Sequence, residues 1–200
     1  MAMRPEEEAM NGYLEDTIII DWQSPAVWEK ARELVAACRS EEERVRTLFE
    51  WVRDEIPHSD DIDTDTVTCR ASSVLEKGTG LCFAKSHLLA ALLRASGIPA
   101  GFGYQRLRRD PPGEGYVLHG FVCAHLAQRD RWVVLDPRGN SERVHTEFDV
   151  DEPSFAHPPD PEQGEETIEI IFTRPNRTVV DLLERSPSLE KLRPHIPGEP

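Results

Sequence analysis

The chain has 200 residues, 38% of them hydrophobic, and a formal net charge of −14 from 23 basic and 37 acidic side chains. That length suits one domain (1–200) with its own core, and the apolar fraction excludes wholesale disorder. The excess of acid repels phosphate backbones and anionic lipid, and no apolar run is long enough to span a bilayer, so neither nucleic acid nor membrane is expected as a partner.

Residues 13–22, with the β-branched run Ile18-Ile19-Ile20, predict a short strand. Ser24-Pro25 marks a helix start, and Val27, Ala31, Leu34, Val35 and Cys38 recur at helical spacing, which puts Cys38 in the core. A capping box, Ser40 with Glu43, opens a second helix whose apolar face is Val45, Leu48, Phe49, Val52 and Ile56. Pro57 ends it, and residues 58–66 read as a solvated acidic loop. A short helix over 71–77 is closed by Gly78. The next helix, over 82–96, is apolar on nearly every face beyond Lys85 and Ser86, so it is expected to be the buried central helix. Strands over 101–107, 116–126 and 131–136 follow, the last two joined by the turn Gln128-Arg129-Asp130. A proline- and acid-rich surface loop (148–164), a strand (167–172) and a helix (178–185) complete the order, and from Pro194 the chain is expected to fray. Helices followed by an antiparallel sheet define the α+β class.

Charge is distributed unevenly. Residues 66–109 hold seven basic side chains against the single acid Glu76. The N-terminus shows no secretory core, so Cys38, Cys69, Cys82 and Cys123 are expected as reduced thiols in the cytoplasm. Cys82 opens the central helix, where the positive end of the helix dipole, Lys85 one turn on and the local basic charge all favour thiolate. Gly80 is expected to leave nearby amides free for an oxyanion. A nucleophile needs a base. His87 lies about 140° around the same helix and faces elsewhere. His119 and His125 share one strand face, and either could meet the cysteine; His119 is favoured because Gly120 beside it leaves room for a ligand. Asp136 ends the neighbouring strand and could orient His119 through its far nitrogen.

The run from Gly80-Leu81-Cys82-Phe83-Ala84-Lys85 to Arg94, then Gly97-Ile98-Pro99, resembles the nucleophile helix of the transglutaminase-like superfamily. His119 and the segment Trp132-Val133-Val134-Leu135-Asp136-Pro137 match its other two blocks, in the family's order. Small stand-alone bacterial members also share Ala71-Ser72-Ser73-Val74-Leu75 and Arg138-Gly139-Asn140. The resemblance covers about 45–140, flanked by an N-terminal extension (1–44) and a C-terminal loop, strand and helix (141–200). It implies a papain-like fold in which Cys82 is the nucleophile, His119 its acid/base partner and Asp136 the orienting carboxylate. Gln105 and His58 are candidates for the oxyanion side chain, with Lys85, Arg138 and Asn140 as further substrate-binding candidates. The implied activity is acyl transfer or hydrolysis on an amide, ester or thioester of a peptide or small molecule, without cofactor or metal. The arylamine N-acetyltransferases rank lower, because an arginine-glycine-glycine run is replaced here by Lys77-Gly78-Thr79-Gly80. The alternative reading is an inactive binding module on the same fold.

Other signals are set aside. Asp61, Asp63 and Asp65 begin like a calcium loop, but Thr66 and Ser72 stand where glycine and glutamate belong. Cys69, Cys82, Cys123 and His125 could form a zinc site only without any Cys-x-x-Cys pair. Arg106, Arg108 and Arg109 read as a solvated rim.

Overall fold

The computed structural model describes residues 3–109, 114–142 and 144–200. Four helices come first: α1 (Pro25–Val35), α2 (Glu41–Glu55), α3 (Ala71–Lys77) and α4 (Cys82–Ala95). Strands β2 (Ala100–Arg108), β3 (Tyr116–Leu126), β4 (Arg131–Leu135) and β5 (Glu166–Phe172) follow, with β1 (Arg4–Pro5) at the N-terminal end, and α5 (Arg177–Arg185) and α6 (Leu189–Leu192) close the chain. The sheet order is β1-β5-β2-β3-β4, antiparallel except where β1 pairs parallel with β5. This is the α+β architecture.

Helix α4 is buried along all but its last residue, as its all-round apolar sequence requires. It packs on β2 and β3 with one side and on α1, α2 and α3 with the others. Leu88, Leu89, Leu92 and Leu93 are fully buried, and each contributes about 1.5–3 kcal/mol of hydrophobic stabilisation. Near its two ends α4 carries a buried cation satisfied by backbone carbonyls. Arg94 donates to the carbonyls of Ala100, Glu15 and Thr173 at 2.7–3.1 Å. Lys85 does the same at the other end. A second, smaller apolar cluster (Tyr13, Phe121, Cys123, Val134, Ile171) covers the opposite face of the sheet.

The helix signals act as read with one refinement. Ser40 accepts from Glu43 N at 3.1 Å, but the Glu43 carboxylate reaches Arg39 N at 2.6 Å instead of the cap residue's own amide. Gly78 closes α3 at φ +67, where its lack of a Cβ removes the strain. Cys38 is only partly buried and lies 3.5 Å from the Thr47 hydroxyl.

Three expectations are corrected. Residues 13–22 form no strand: Met10–Leu14 is a 3₁₀ turn, and the isoleucine run is a loop docked on the start of α3. There Ile19 O accepts from Ala71 N at 2.9 Å and Asp21 accepts from Ser72 N at 3.0 Å. That loop caps a helix, so its polar backbone groups are unavailable to a sheet. The acidic loop is not merely solvated. Asp60 pairs with Arg193, Asp61 with Arg138, and Asp65 accepts from Leu189 N at 2.8 Å at the start of α6. Nor is the C-terminal stretch frayed, since Leu118 N donates to Pro197 O at 2.8 Å. No helix among the described residues is long and apolar enough to cross a membrane.

Candidate active site

The start of α4 is stitched to a distant segment. Leu81 occupies the cap position without a side-chain acceptor, and the first helical amide, Cys82 N–H, is instead taken by His58 Nε2 at 3.0 Å. Ser59 N donates to Gly80 O at 3.1 Å, and the Thr79 hydroxyl donates to Pro57 O at 3.0 Å. Gly80 is required here, because a Cβ would lie 2.9 Å from Ala84 Cβ. The close turn thus delivers Cys82 to the cleft wall, and its amide is not left free as the sequence suggests.

Strand β3 brings in the histidine. His119 Nε2 donates to Asp136 Oδ2 at 2.8 Å, both groups being buried. Cys82 lies near enough to the same ring to act on its charge. Because Asp136 occupies Nε2, the nitrogen facing the sulfur is Nδ1. Gly120 leaves no room for a ligand. The space is filled by Phe83, whose Cδ1 would stand 2.7 Å from a Cβ at this position. That contact seats β3 against the first turn of α4, which sets the approach of His119 to Cys82.

Asp136 is a hub. Its Oδ1 accepts from Arg138 N at 3.1 Å, and its Oδ2 also accepts from Ala156 N at 2.9 Å. Burial works against charge at this carboxyl, yet His119 and the two amides hold its pKa below the ordinary carboxylate value. Burial likewise opposes protonation of His119, and the charges of Asp136 and Cys82 outweigh it, pushing the pKa up to about 10. His58 is the opposite case: burial, with Arg138, Lys85 and His119 nearby, keeps it well below the usual imidazole range and therefore neutral.

A cavity of about 570 Å³ opens at these residues, lined among others by Cys82, His119, His58, Arg138, His157 and Ile196. Of the sequence-predicted residues, Cys82, His119, Asp136, His58 and Arg138 are brought together. Arg138 lines the cleft but spends its guanidinium on both oxygens of Asp61. Three candidates are not brought there. Lys85 is fully buried and donates to the carbonyls of Arg53 and Arg138, each at 3.2 Å, and of Ile56. Burial and Arg138 push its pKa down to about 7, while three carbonyl acceptors favour the ammonium, which alone has three N–H groups. Gln105 is register-paired with His119 across β2 and β3, but its amide is buried on the Thr167 hydroxyl at 3.3 Å. Asn140 accepts from Thr146 N at 2.7 Å and holds its own loop.

Sequence reasoning missed His157. Its ring meets His119 edge-on with centroids 5.4 Å apart, and the Ala156 amide beside it is anchored on Asp136. No local pattern marks it, since the anchor is a backbone N–H. His87 donates Nδ1–H to Cys69 O at 2.8 Å, and burial drives its pKa down to about 4. His125 lies beside Trp132, away from the cleft. Burial raises the Cys69 thiol to about 12 and Cys123 higher still. Among the described residues no three His, Cys, Asp or Glu side chains are grouped to hold a metal ion, so the zinc alternative has no assembled ligand set.

A helix that starts at a cysteine, packed on an antiparallel sheet carrying a His–Asp pair, defines a cysteine-based catalytic fold. The chain belongs to the transglutaminase-like superfamily, whose family model matches residues 29–137, more than half of its length. Among solved structures it is similar to a candidate cysteine protease from Cytophaga hutchinsonii (17% identity, TM-score 0.54, covering 66% of this chain and 43% of that one). It also matches the periplasmic domain of TgpA from Pseudomonas aeruginosa (23%, TM-score 0.47, covering 62% and 46%) and red sea bream transglutaminase (16%, TM-score 0.40, covering 66% and 26%). The matched region spans less than half of each of these chains. No curated protein matches the sequence.

Proposed function

We propose that the protein is a thiol enzyme that cleaves or transfers an acyl group through a thioester on Cys82. The observation that carries this reading is the His119 ring, held at Nε2 by Asp136 at 2.8 Å and lining the same cleft as Cys82. The Cys82 sulfur bonds to the carbonyl carbon of an amide, ester or thioester. His119 Nδ1–H gives its proton to the leaving nitrogen, oxygen or sulfur as that bond breaks. Water or an amine then loses a proton to His119, attacks the thioester carbon and returns Cys82 as the leaving group. Asp136 keeps the proton on Nε2 and stabilises the charged ring throughout.

His58 supplies the oxyanion donor in this reading. Its two nitrogens face two amides, Asp60 N at 3.2 Å and Cys82 N at 3.0 Å. A neutral imidazole has one acceptor nitrogen, so it bonds only one of them at a time. In the reacting state of this reading the proton is on Nε2: Cys82 N–H gives up its bond to that nitrogen, both N–H groups turn to the substrate oxygen, and a tetrahedral oxyanion accepts both.

Incubation with ester and thioester donors, followed by intact-mass measurement, tests the proposal. An acyl adduct on Cys82 that is discharged faster by added primary amine is expected. Turnover that survives Cys82→Ala overturns it. The same reading puts the protein in the cytoplasm, supported by four unpaired thiols. Recovery of the tagged protein outside the cytoplasmic fraction would refute that placement.

A further inference from the structure

The edge of β3 beside His119 is open. Its partner β4 pairs only from Val122 onward, so residues 116–121 have no strand on that side among the described residues. The chain's own C-terminal segment sits there instead. Leu118 N donates to Pro197 O at 2.8 Å, one residue from His119. Gly198 passes so close that a Cβ would lie 2.9 Å from Tyr116 O. Ile196, extended at φ −58 and ψ 125, lines the catalytic cavity. Pro197 favours that extended form in the residue before it.

The basic stretch noted in the sequence holds this segment down. Arg109 donates to Ile196 O and, at 3.4 Å, to Arg193 O. Arg106 pairs with Glu199 at 2.9 Å, and Arg193 reaches the cleft residue Asp60 through two nitrogens at 2.9 and 2.5 Å. Ile196 packs its side chain against the main core; the other grips on the segment between 193 and 199 are backbone or ionic contacts, of the kind that a competing peptide can replace at little net cost.

We propose that the open β3 edge is a strand-addition site for an extended peptide, and that Ile196-Pro197-Gly198 is its intramolecular occupant. The site takes a peptide that presents a carbonyl to Leu118 N–H and an apolar side chain to the space Ile196 fills. Main-chain pairing gives such a site its affinity and the side-chain pocket its selectivity. The proposal rests on the acyl-transfer reading for its meaning as a substrate site, because it lays a peptide carbonyl chain alongside Cys82 and His119. As a binding surface it stands without that reading.

The test uses the full chain carrying Cys82→Ala, so that no turnover intervenes. Gly198→Val forces a branched side chain against Tyr116 O, and Arg109→Ala removes the grip on Ile196 O. In each variant the Leu118 amide is expected to exchange with solvent about tenfold faster or more, the effect of losing one net hydrogen bond and its neighbours. A fluorescent peptide with the sequence of residues 189–200 is expected to bind the Gly198→Val variant at least tenfold more tightly than the intact-tail protein and to restore Leu118 protection, whereas Arg109→Ala, which takes the same grip from tail and peptide alike, is expected to show no such gain. The same peptide with aspartate in place of Ile196 is expected to bind neither. Unchanged Leu118 exchange in both variants overturns the proposal, as does a peptide that fails to bind the Gly198→Val variant once its Leu118 amide is released. Peptide binding in an enzyme with no detectable acyl chemistry would leave this surface standing and remove only the acyl-transfer reading.

Discussion

Asp136→Asn probes the site at its hub. The carboxylate is fully buried and accepts three hydrogen bonds, from His119 Nε2, Ala156 N and Arg138 N. Asparagine keeps one acceptor oxygen and turns an NH₂ toward donors, so at least one N–H is left facing another. Loss of a charge-assisted bond together with one orphaned buried donor costs about 3 kcal/mol. The pH dependence follows from His119, whose pKa rises from the ordinary 6.5 to about 10 on folding. A raised group contributes its full stability below the unfolded value and loses it as pH climbs through the folded value. The stability gap between wild type and variant is therefore widest just below the histidine's unfolded value and narrows toward pH 10, where about 1 kcal/mol from the orphaned donor persists. On the acid side the gap closes again. Asp136 has a depressed pKa, so its contribution is lost as pH falls through that folded value. Urea midpoints across this range measure the curve. Turnover is expected to fall by roughly 10²–10⁴ through lost control of the His119 tautomer. A gap that stays constant with pH, or unchanged turnover, refutes the reasoning.

Lys85→Met leaves three carbonyl oxygens without their donor, and thermal melts are expected to show a loss of about 2 kcal/mol, since the unsatisfied acceptors cost more than the relief of ammonium desolvation returns. Gly120→Ala places a Cβ 2.7 Å from Phe83 Cδ1. It is expected to cost about 1–3 kcal/mol by overpacking, with partial rescue by Phe83→Leu in the same chain. Gly78→Ala meets no atom within 4 Å but sits at φ +67, so a backbone penalty of about 1 kcal/mol in urea titration with unaltered turnover is the expected result.

What the sequence reveals depends on whether a segment's partners are written into its own pattern. Helix α4 is legible because burial on every face appears as apolar residues on every face. Strands β2, β3 and β4 are legible because their boundaries carry turn residues, and the order of Cys82, His119 and Asp136 survives in the spacing. Ile18-Ile19-Ile20 misleads, since β-branched composition marks a strand only if a neighbouring strand is there to pair with it, and here a helix start takes the backbone groups. The acidic loop and the C-terminal segment mislead for a related reason. Asp60, Asp61 and Asp65 meet Arg193, Arg138 and the start of α6, and Ile196 and Pro197 meet Arg109 and Leu118. Such ionic and main-chain contacts across the fold leave no periodicity. Lys85 and Gln105 show the same limit inside the core, where a polar side chain near the nucleophile in sequence is committed to carbonyls or a threonine in space.

His58 separates a cap from a catalytic donor. As a cap alone, it would satisfy Cys82 N–H and fix the start of α4. His58→Leu would then cost about 1 kcal/mol of stability, and turnover per folded molecule would be untouched. As an oxyanion donor it acts only when charge develops on the substrate oxygen, so kcat falls by about 10²–10³ while KM barely moves. Because burial and the neighbouring cations keep the ring neutral, no step attributable to His58 is expected in the pH profile of kcat near neutrality. His58→Gln sharpens the comparison. Its amide can accept from Cys82 N–H or donate to an oxyanion through the same atoms' positions, so it is expected to recover part of the lost kcat. A leucine variant that is destabilised yet keeps full kcat would assign His58 to the helix and leave the oxyanion to other donors.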